Sequence, residues 1–250
     1  MKPAAPCVGI IPARYQSTRF PGKPLADILG KPMFWHVYQR AKSCPQLDQV
    51  VLATDDQRIY ETARSLDVAV IMTRSDHPSG TDRILEAAKK LQVPDSAVVV
   101  NVQGDEPLLD PAMITTLVAP FTDAAIGVTT LAHPISPEAA QNPNRVTVVV
   151  SKSGRGLYFS RATLPYDAGG EDHAIYGHIG LYAYRMRHLK RFVALGPTPL
   201  EKVERLEMLR LLENDIPIHV QITDAATLGV DHPDDLTRVV EIMRATTDRI

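Results

Sequence analysis

The residues best suited to chemistry in this 250-residue chain fall in loops that follow short apolar runs. Between Pro12 and Pro24 the chain carries Arg14, Arg19 and Lys23, the hydroxyls of Ser17 and Thr18, and Gly22, with no acid before Asp27. Fixed cations beside a glycine that lets backbone approach a ligand suit a polyphosphate. Gly22-Lys23 is followed by Pro24 and lacks the upstream glycine of a Walker A loop, and no G-x-G-x-x-G dinucleotide fingerprint occurs. The bland alternative is solvated loop charge; a position at the ligand end of the first strand favours anion binding.

Two acidic loops supply candidate metal ligands. The run Val98-Val99-Val100-Asn101-Val102 leads into Gln103-Gly104-Asp105-Glu106-Pro107. A carboxylate leaving a buried strand beside a glycine suits Mg²⁺, which takes carboxylate oxygens and keeps waters and substrate phosphates as its other ligands. In Gly229-Val230-Asp231-His232-Pro233-Asp234-Asp235 the last two acids fit capping of a final helix. Asp231 stands outside that cap, and spacing alone leaves it open as a second ligand.

Three further stretches carry polar groups at ligand-facing positions. In His77-Pro78-Ser79-Gly80-Thr81-Asp82-Arg83 the free amides of a helix start can hold an anion or a base edge. Arg83 is disfavoured there by the helix dipole, so either a ligand carboxylate or a salt bridge to Glu86 would explain it. His178 and Tyr182 lie in Tyr176-Gly177-His178-Ile179-Gly180-Leu181-Tyr182, and Arg161 ends Tyr158-Phe159-Ser160-Arg161. Residues 200–214 predict a helix with Glu207 between Val203 and Leu211 on one face, a pocket residue or a rim charge. No G-x-S-x-G elbow appears, which argues against a hydrolase triad.

These loops need elements to position them. Apolar runs at residues 8–11, 50–53, 68–72 and 97–102 predict strands, with helices over 33–43, 56–66 and 81–91 and another opening at Asp110. Strands without polar alternation belong to a parallel sheet covered on both faces, so the rhythm predicts a doubly wound, mostly parallel α/β fold. Residues 126–131, 146–150, 157–160 and 179–184 predict further strands in a smaller inserted sheet region, with residues 168–172 a flexible loop. Residues 1–250 read as a single domain, and ligands are expected beyond the carboxyl ends of the strands.

Composition bounds the rest. Net charge is −2 and aromatic residues are 6%, without basic–aromatic interleaving, so neither nucleic acid nor an anionic membrane is an expected partner. Cys7 and Cys44 are too few for a disulfide framework. No signal-like or membrane-spanning apolar segment appears, which predicts a cytoplasmic protein.

Taken in order, Ile11-Pro12-Ala13-Arg14-Tyr15, Ser17-Thr18-Arg19, Pro21-Gly22-Lys23-Pro24-Leu25, Ser79-Gly80-Thr81-Asp82-Arg83, Asn101-Val102-Gln103-Gly104-Asp105-Glu106-Pro107, Tyr158-Phe159-Ser160-Arg161, His178-Ile179-Gly180-Leu181-Tyr182 and Gly229-Val230-Asp231 resemble the 3-deoxy-manno-octulosonate (Kdo) cytidylyltransferase family. The resemblance covers essentially the whole chain. It implies a nucleotide-diphospho-sugar transferase fold, a homodimer, Mg²⁺, and the reaction of CTP with Kdo to give CMP-Kdo and diphosphate for lipopolysaccharide assembly. It implies Arg14, Lys23 and Asp105 as catalytic residues and Asp105 and Asp231 as metal ligands. Ala13, Arg14, Lys23, Ser79, Gly80 and Gln103 would hold CTP; Arg83, Gln103, Arg161, His178, Tyr182 and Glu207 would face the sugar acid. The pattern departs at Thr147, where the family usually shows Lys, and at Met208, where Gln commonly follows the helix Glu. Rival readings are a cytidylyltransferase for another sugar acid, a silent nucleotide-binding regulator and, more distantly, an oxidoreductase.

Overall fold

The computed structural model describes residues 5–16, 20–170, 173–225 and 228–247. Arg19 with Ser17 and Thr18, and Glu171-Asp172 of the anticipated loop, lie outside the described residues. In the first half, β1 (Cys7–Ala13) is followed by the two-residue strands β2 (Asp27–Ile28) and β3 (Lys31–Pro32), then α1 (Met33–Lys42). Next come β4 (Gln49–Thr54), α2 (Gln57–Ser65), β5 (Val70–Met72), α3 (Gly80–Lys90), β6 (Val98–Asn101) and α4 (Pro111–Val118). Two predicted caps form: Asp56 accepts from the N–H groups of Arg58 and Ile59, and Asp110 from Ala112. Helix α3 starts earlier than expected, so its cap is Ser79, which accepts from the Asp82 N–H, rather than Thr81.

The second half contains β7 (Val128–Ile135), α5 (Pro137–Ala140), β8 (Thr147–Val150), β9 (Gly156–Ser160), β10 (Ile175–Arg185) and α6 (Met186–Ala194). It closes with α7 (Pro199–Glu204), α8 (Leu209–Leu212), β11 (His219–Ile222) and α9 (Pro233–Thr247). The main sheet runs β11-β7-β10-β6-β1-β4-β5. Pairings of β1 with β4 and β6, of β4 with β5 and of β7 with β11 are parallel, and β10 is antiparallel to both neighbours. The hairpin of β8 and β9 joins the same sheet through β10. The strands anticipated as a smaller inserted sheet region are thus part of the main sheet, where β7 and β10 are central, and the separate small sheet is the antiparallel pair β2–β3.

Strand β1 shows why the sheet must be covered twice. Cys7, Ile11 and Ala13 enter the core with Phe34, Tyr38 and Ile114, while Val8 and Ile10 enter the opposite core with Ile84, Leu189 and Phe192. Two apolar faces at period two fix the register, because a one-residue slip would exchange the faces.

Helix α6 and strand β11 were not anticipated, and other elements differ in extent. The helix anticipated over residues 200–214 is two short helices, α7 and α8, separated by Arg205 in the left-handed region (φ 54°, ψ 46°), whose N–H bonds Glu201 O. The break lets each end orient separately: Val203 is 81% exposed while Leu206, Leu209 and Leu211 are buried. Val203 and Leu211 therefore do not flank Glu207 on a common face. Strand β10 is also longer than expected, with a register shift between Ile179 and Tyr182. Thr147 and Met208 are both buried; Thr147 Oγ1 donates to Ala162 O at 2.7 Å.

Candidate active site

The strand ends and loops of β1 and β6, the start of α3, and the α6–α8 segment enclose a cleft of about 830 Å³. Ala13 and the exposed Arg14 line it where β1 ends. Lys23 opens a short helical turn after Gly22, whose φ of 73° favours glycine and whose Cα faces the Tyr15 ring. The Lys23 ammonium donates to Asp105 Oδ2 and to Val230 O, both at 2.8 Å, and lies 3.7 Å from Asp231 Oδ1. The backbone closes this arrangement from behind, with Val230 N–H donating to Asp105 O at 2.9 Å. Residues 126 positions apart in sequence, Asp105 and Asp231, thus share one cationic contact.

The start of α3 forms a second part of the lining through Ser79, Gly80 and Arg83. Ser79 Oγ donates to Asp82 Oδ2 at 2.6 Å, and Thr81 Oγ1 donates to Glu207 Oε2 at 2.7 Å. Arg83 is 4% exposed; its Nη1 donates to Thr73 Oγ1 at 2.5 Å and its Nη2 to Asp55 Oδ2 at 3.0 Å. Glu86 is not its partner. Glu86 instead binds Lys90, the Arg74 N–H and His77; burial would raise its carboxyl, but these donors hold it down to about 2. Asp55, directly after β4, was missed in the sequence as the counter-ion of Arg83.

Gln103 lines the cleft and donates through Nε2 to Gly180 O at 2.7 Å, beside the β10 register shift. Half-buried His178 and buried Tyr182 sit behind this wall rather than among the lining residues. The Tyr182 hydroxyl is 2.9 Å from His178 Nε2, which also meets Thr130 Oγ1 at 3.0 Å. Burial holds the His178 imidazole down to about 3, so it is neutral, and pushes the Tyr182 phenol up. Arg161 is exposed and away from the lining; its guanidinium donates to Glu204 O at 3.0 Å and Pro143 O at 3.3 Å. Glu106 is buried next to Asp105, and burial followed by the Asp105 charge pushes its carboxyl up to about 8.

A wall unanticipated from the sequence comes from the end of α6, α7, the turn after it and α8, with Leu195, Glu201, Lys202, Arg205 and Arg210. Arg210 is bound to Glu201 at 2.5 Å and lies over the Phe192 ring. Among the described residues no group of three or more His, Cys, Asp or Glu side chains converges as a metal cage. The pair Asp105 and Asp231 nevertheless has the donor chemistry of a Mg²⁺ site completed by substrate phosphates, and a single ammonium already reaches both carboxylates.

Comparison with known proteins adds a second line of support. A family described as cytidylyltransferase matches residues 8–220. The 3-deoxy-manno-octulosonate cytidylyltransferase of Oleidesulfovibrio alaskensis is 59% identical over 243 residues, covering 96% of this chain and 98% of the relative. Its namesake from Nitratidesulfovibrio vulgaris (strain Hildenborough) is 57% identical over 242 residues, covering 95% and 96%. A solved structure of CMP:2-keto-3-deoxy-manno-octonic acid synthetase complexed with CTP superposes with a TM-score of 0.92 at 41% identity, covering 97% of this chain and all of that one. A 4-diphosphocytidyl-2C-methyl-D-erythritol synthase, with a TM-score of 0.65 at 14% identity over 96% of this chain and 98% of its own, shares the fold.

Proposed function

The chain belongs to the 3-deoxy-manno-octulosonate cytidylyltransferase family, and from that premise we propose that its cleft joins CTP and Kdo, giving CMP-Kdo and diphosphate. The anomeric hydroxyl of Kdo attacks the α-phosphorus of CTP in line, its proton leaves to solvent, and the bond to the β-phosphate oxygen breaks. A triphosphate repels an anionic acceptor, so positioning and charge neutralisation carry most of the catalysis. In this reading Arg14 and Lys23 grip the triphosphate. Ala13, Ser79, Gly80 and Gln103 hold the nucleotide. Arg83, Gln103 and Glu207 face the sugar, while His178 and Tyr182 support that wall from behind. Arg161 contributes through the β9–α7 junction.

Asp105 and Asp231 would hold Mg²⁺, which supplies positive charge to the triphosphate and the departing diphosphate. The observation that carries this reading is the Lys23 ammonium, 2.8 Å from Asp105 and 3.7 Å from Asp231. It brings the cationic loop and both candidate metal ligands to one point. We further place the protein in the cytoplasm, as a homodimer supplying lipopolysaccharide synthesis. Among the described residues no helix is long and apolar enough to cross a membrane.

The test is diphosphate release with CTP, Kdo and Mg²⁺, using UTP and ATP as controls, in the native protein and in Asp105→Asn. The native protein should turn over CTP selectively and lose activity on chelation. The variant should fall by about 10²-fold or more with its melting temperature preserved. Near-native turnover in Asp105→Asn would remove the metal assignment, and no turnover of Kdo by the native protein would remove the function.

A further inference from the structure

Residues 73–79 join β5 to α3 and deliver Ser79 and Gly80 to the cleft lining. Residues 74–76 and 78 are exposed, so apolar burial contributes little to holding this loop. Two side chains of α3 hold it instead. Arg83 donates to Thr73 Oγ1 at 2.5 Å and to Arg74 O at 3.2 Å, at the start of the loop. Glu86 holds the rest: its Oε2 accepts from the Arg74 N–H at 3.1 Å and from Nε2 of His77, nine positions earlier. Its Oε1 meets Lys90 Nζ at 2.8 Å. The Glu86 side chain is 17% exposed and that of His77 7%, so solvent competes weakly for their contact. Burial would raise the Glu86 carboxyl, but Lys90, the Arg74 N–H and His77 hold it low, and it stays an ionised acceptor. That acceptor fixes Nε2 of His77 as a donor, and with it the plane of a ring that lines the cleft.

We propose that Glu86, acting through His77, is a positioning residue that fixes the loop before α3 and so sets the Ser79–Gly80 edge of the nucleotide site. The inference rests on the reading of that edge as the part of the cleft that holds the nucleotide. Glu86 is itself outside the cleft lining, so its effect must pass through a neighbour. His77 is the link: it lines the cleft, and only Pro78 separates it from Ser79. The proline ring fixes φ at residue 78, so placing His77 leaves few soft dihedrals before Ser79. The wall of Lys23, Asp105 and Asp231 is built from other loops and does not depend on this contact. Loosening the edge therefore weakens nucleotide binding equally in ground and transition states, which raises KM and leaves kcat nearly unchanged.

The test measures kcat, KM for CTP and KM for Kdo, with CTP dissociation constants from calorimetry. It uses the native protein, Glu86→Ala, Glu86→Gln, His77→Ala, the Glu86→Ala/His77→Ala double variant and Lys90→Met. Glu86→Ala should raise KM and the dissociation constant for CTP about tenfold, the scale of one charge-assisted hydrogen bond. Its kcat and its KM for Kdo should stay within about twofold. Glu86→Gln, which keeps an acceptor for His77, should recover part of the loss. Lys90→Met, which leaves the His77 contact in place, should bind CTP within about twofold of native. The double variant should bind CTP within about twofold of His77→Ala alone, because the two residues share one contact. Unchanged CTP binding in Glu86→Ala overturns the inference. So do additive losses in the double variant, an equal loss in Lys90→Met, or a parallel rise in KM for Kdo, and each leaves the function intact. A native protein that binds CTP without turning over Kdo removes the function alone, and calorimetry still decides the inference. A native protein that binds no CTP removes both.

Discussion

Asp55 and Arg83 show how one ion pair can serve both stability and the cleft. Arg83 is 4% exposed and the Asp55 side chain 16%, so solvent compensates little if either partner is lost. Asp55→Ala leaves the guanidinium buried with Thr73 and a backbone carbonyl as its acceptors. Breaking such a pair should cost about 3 kcal/mol, read as a lower urea midpoint at unchanged m-value. Asp55→Ala/Arg83→Met removes the stranded charge and should recover part of that loss, whereas strictly additive losses would deny the coupling. The sequence exposed Arg83 as a misplaced cation at a helix start but offered Glu86 or a ligand as its explanation. Asp55 lies 28 positions away, and only the β4–β1 pairing brings that strand end against α3.

Glycine 104 governs how closely two elements can meet. A Cβ there would lie 2.7 Å from Pro12 O, inside contact distance with backbone that cannot swing aside. Gly104 thus lets the β6 loop bearing Asp105 press against the end of β1, which leads into Arg14. Gly104→Ala should move the two loops apart; misplacement on that scale costs about a hundredfold in rate. Diphosphate release should fall by that order while far-ultraviolet circular dichroism stays native, and activity within twofold of native would show the contact to be dispensable. The parallel core was legible because its strands are apolar on both faces, and the ligand-bearing loops because they leave those strands. The α7–α8 break was not, since Arg205 is neither Gly nor Asn, the residues that usually announce a left-handed helix end. With the break unseen, Glu207 was given the wrong neighbours in Val203 and Leu211, although it does line the cleft, and the Lys202–Arg205 wall went unread.

At the scale of the molecule, the hairpin of β8 and β9 is tied to helix α7. Ser160 Oγ donates to Glu204 Oε1 at 2.6 Å and the Arg161 N–H to Glu204 Oε2 at 3.0 Å, tying the end of β9 to α7. That unit exposes Leu157 at 59% and Val203 at 81%, and among the described residues β9 has β8 as its sole ladder partner. An apolar edge of this kind invites cover, and a self-complementary patch is covered most simply by a second copy across a two-fold axis. Light scattering on the eluting protein should therefore give twice the chain mass at micromolar concentration. Leu157→Glu/Val203→Glu should shift it to the single-chain mass with unchanged circular dichroism. A native protein eluting at the single-chain mass, or a double variant that still elutes at twice it, would show that this face is not the interface.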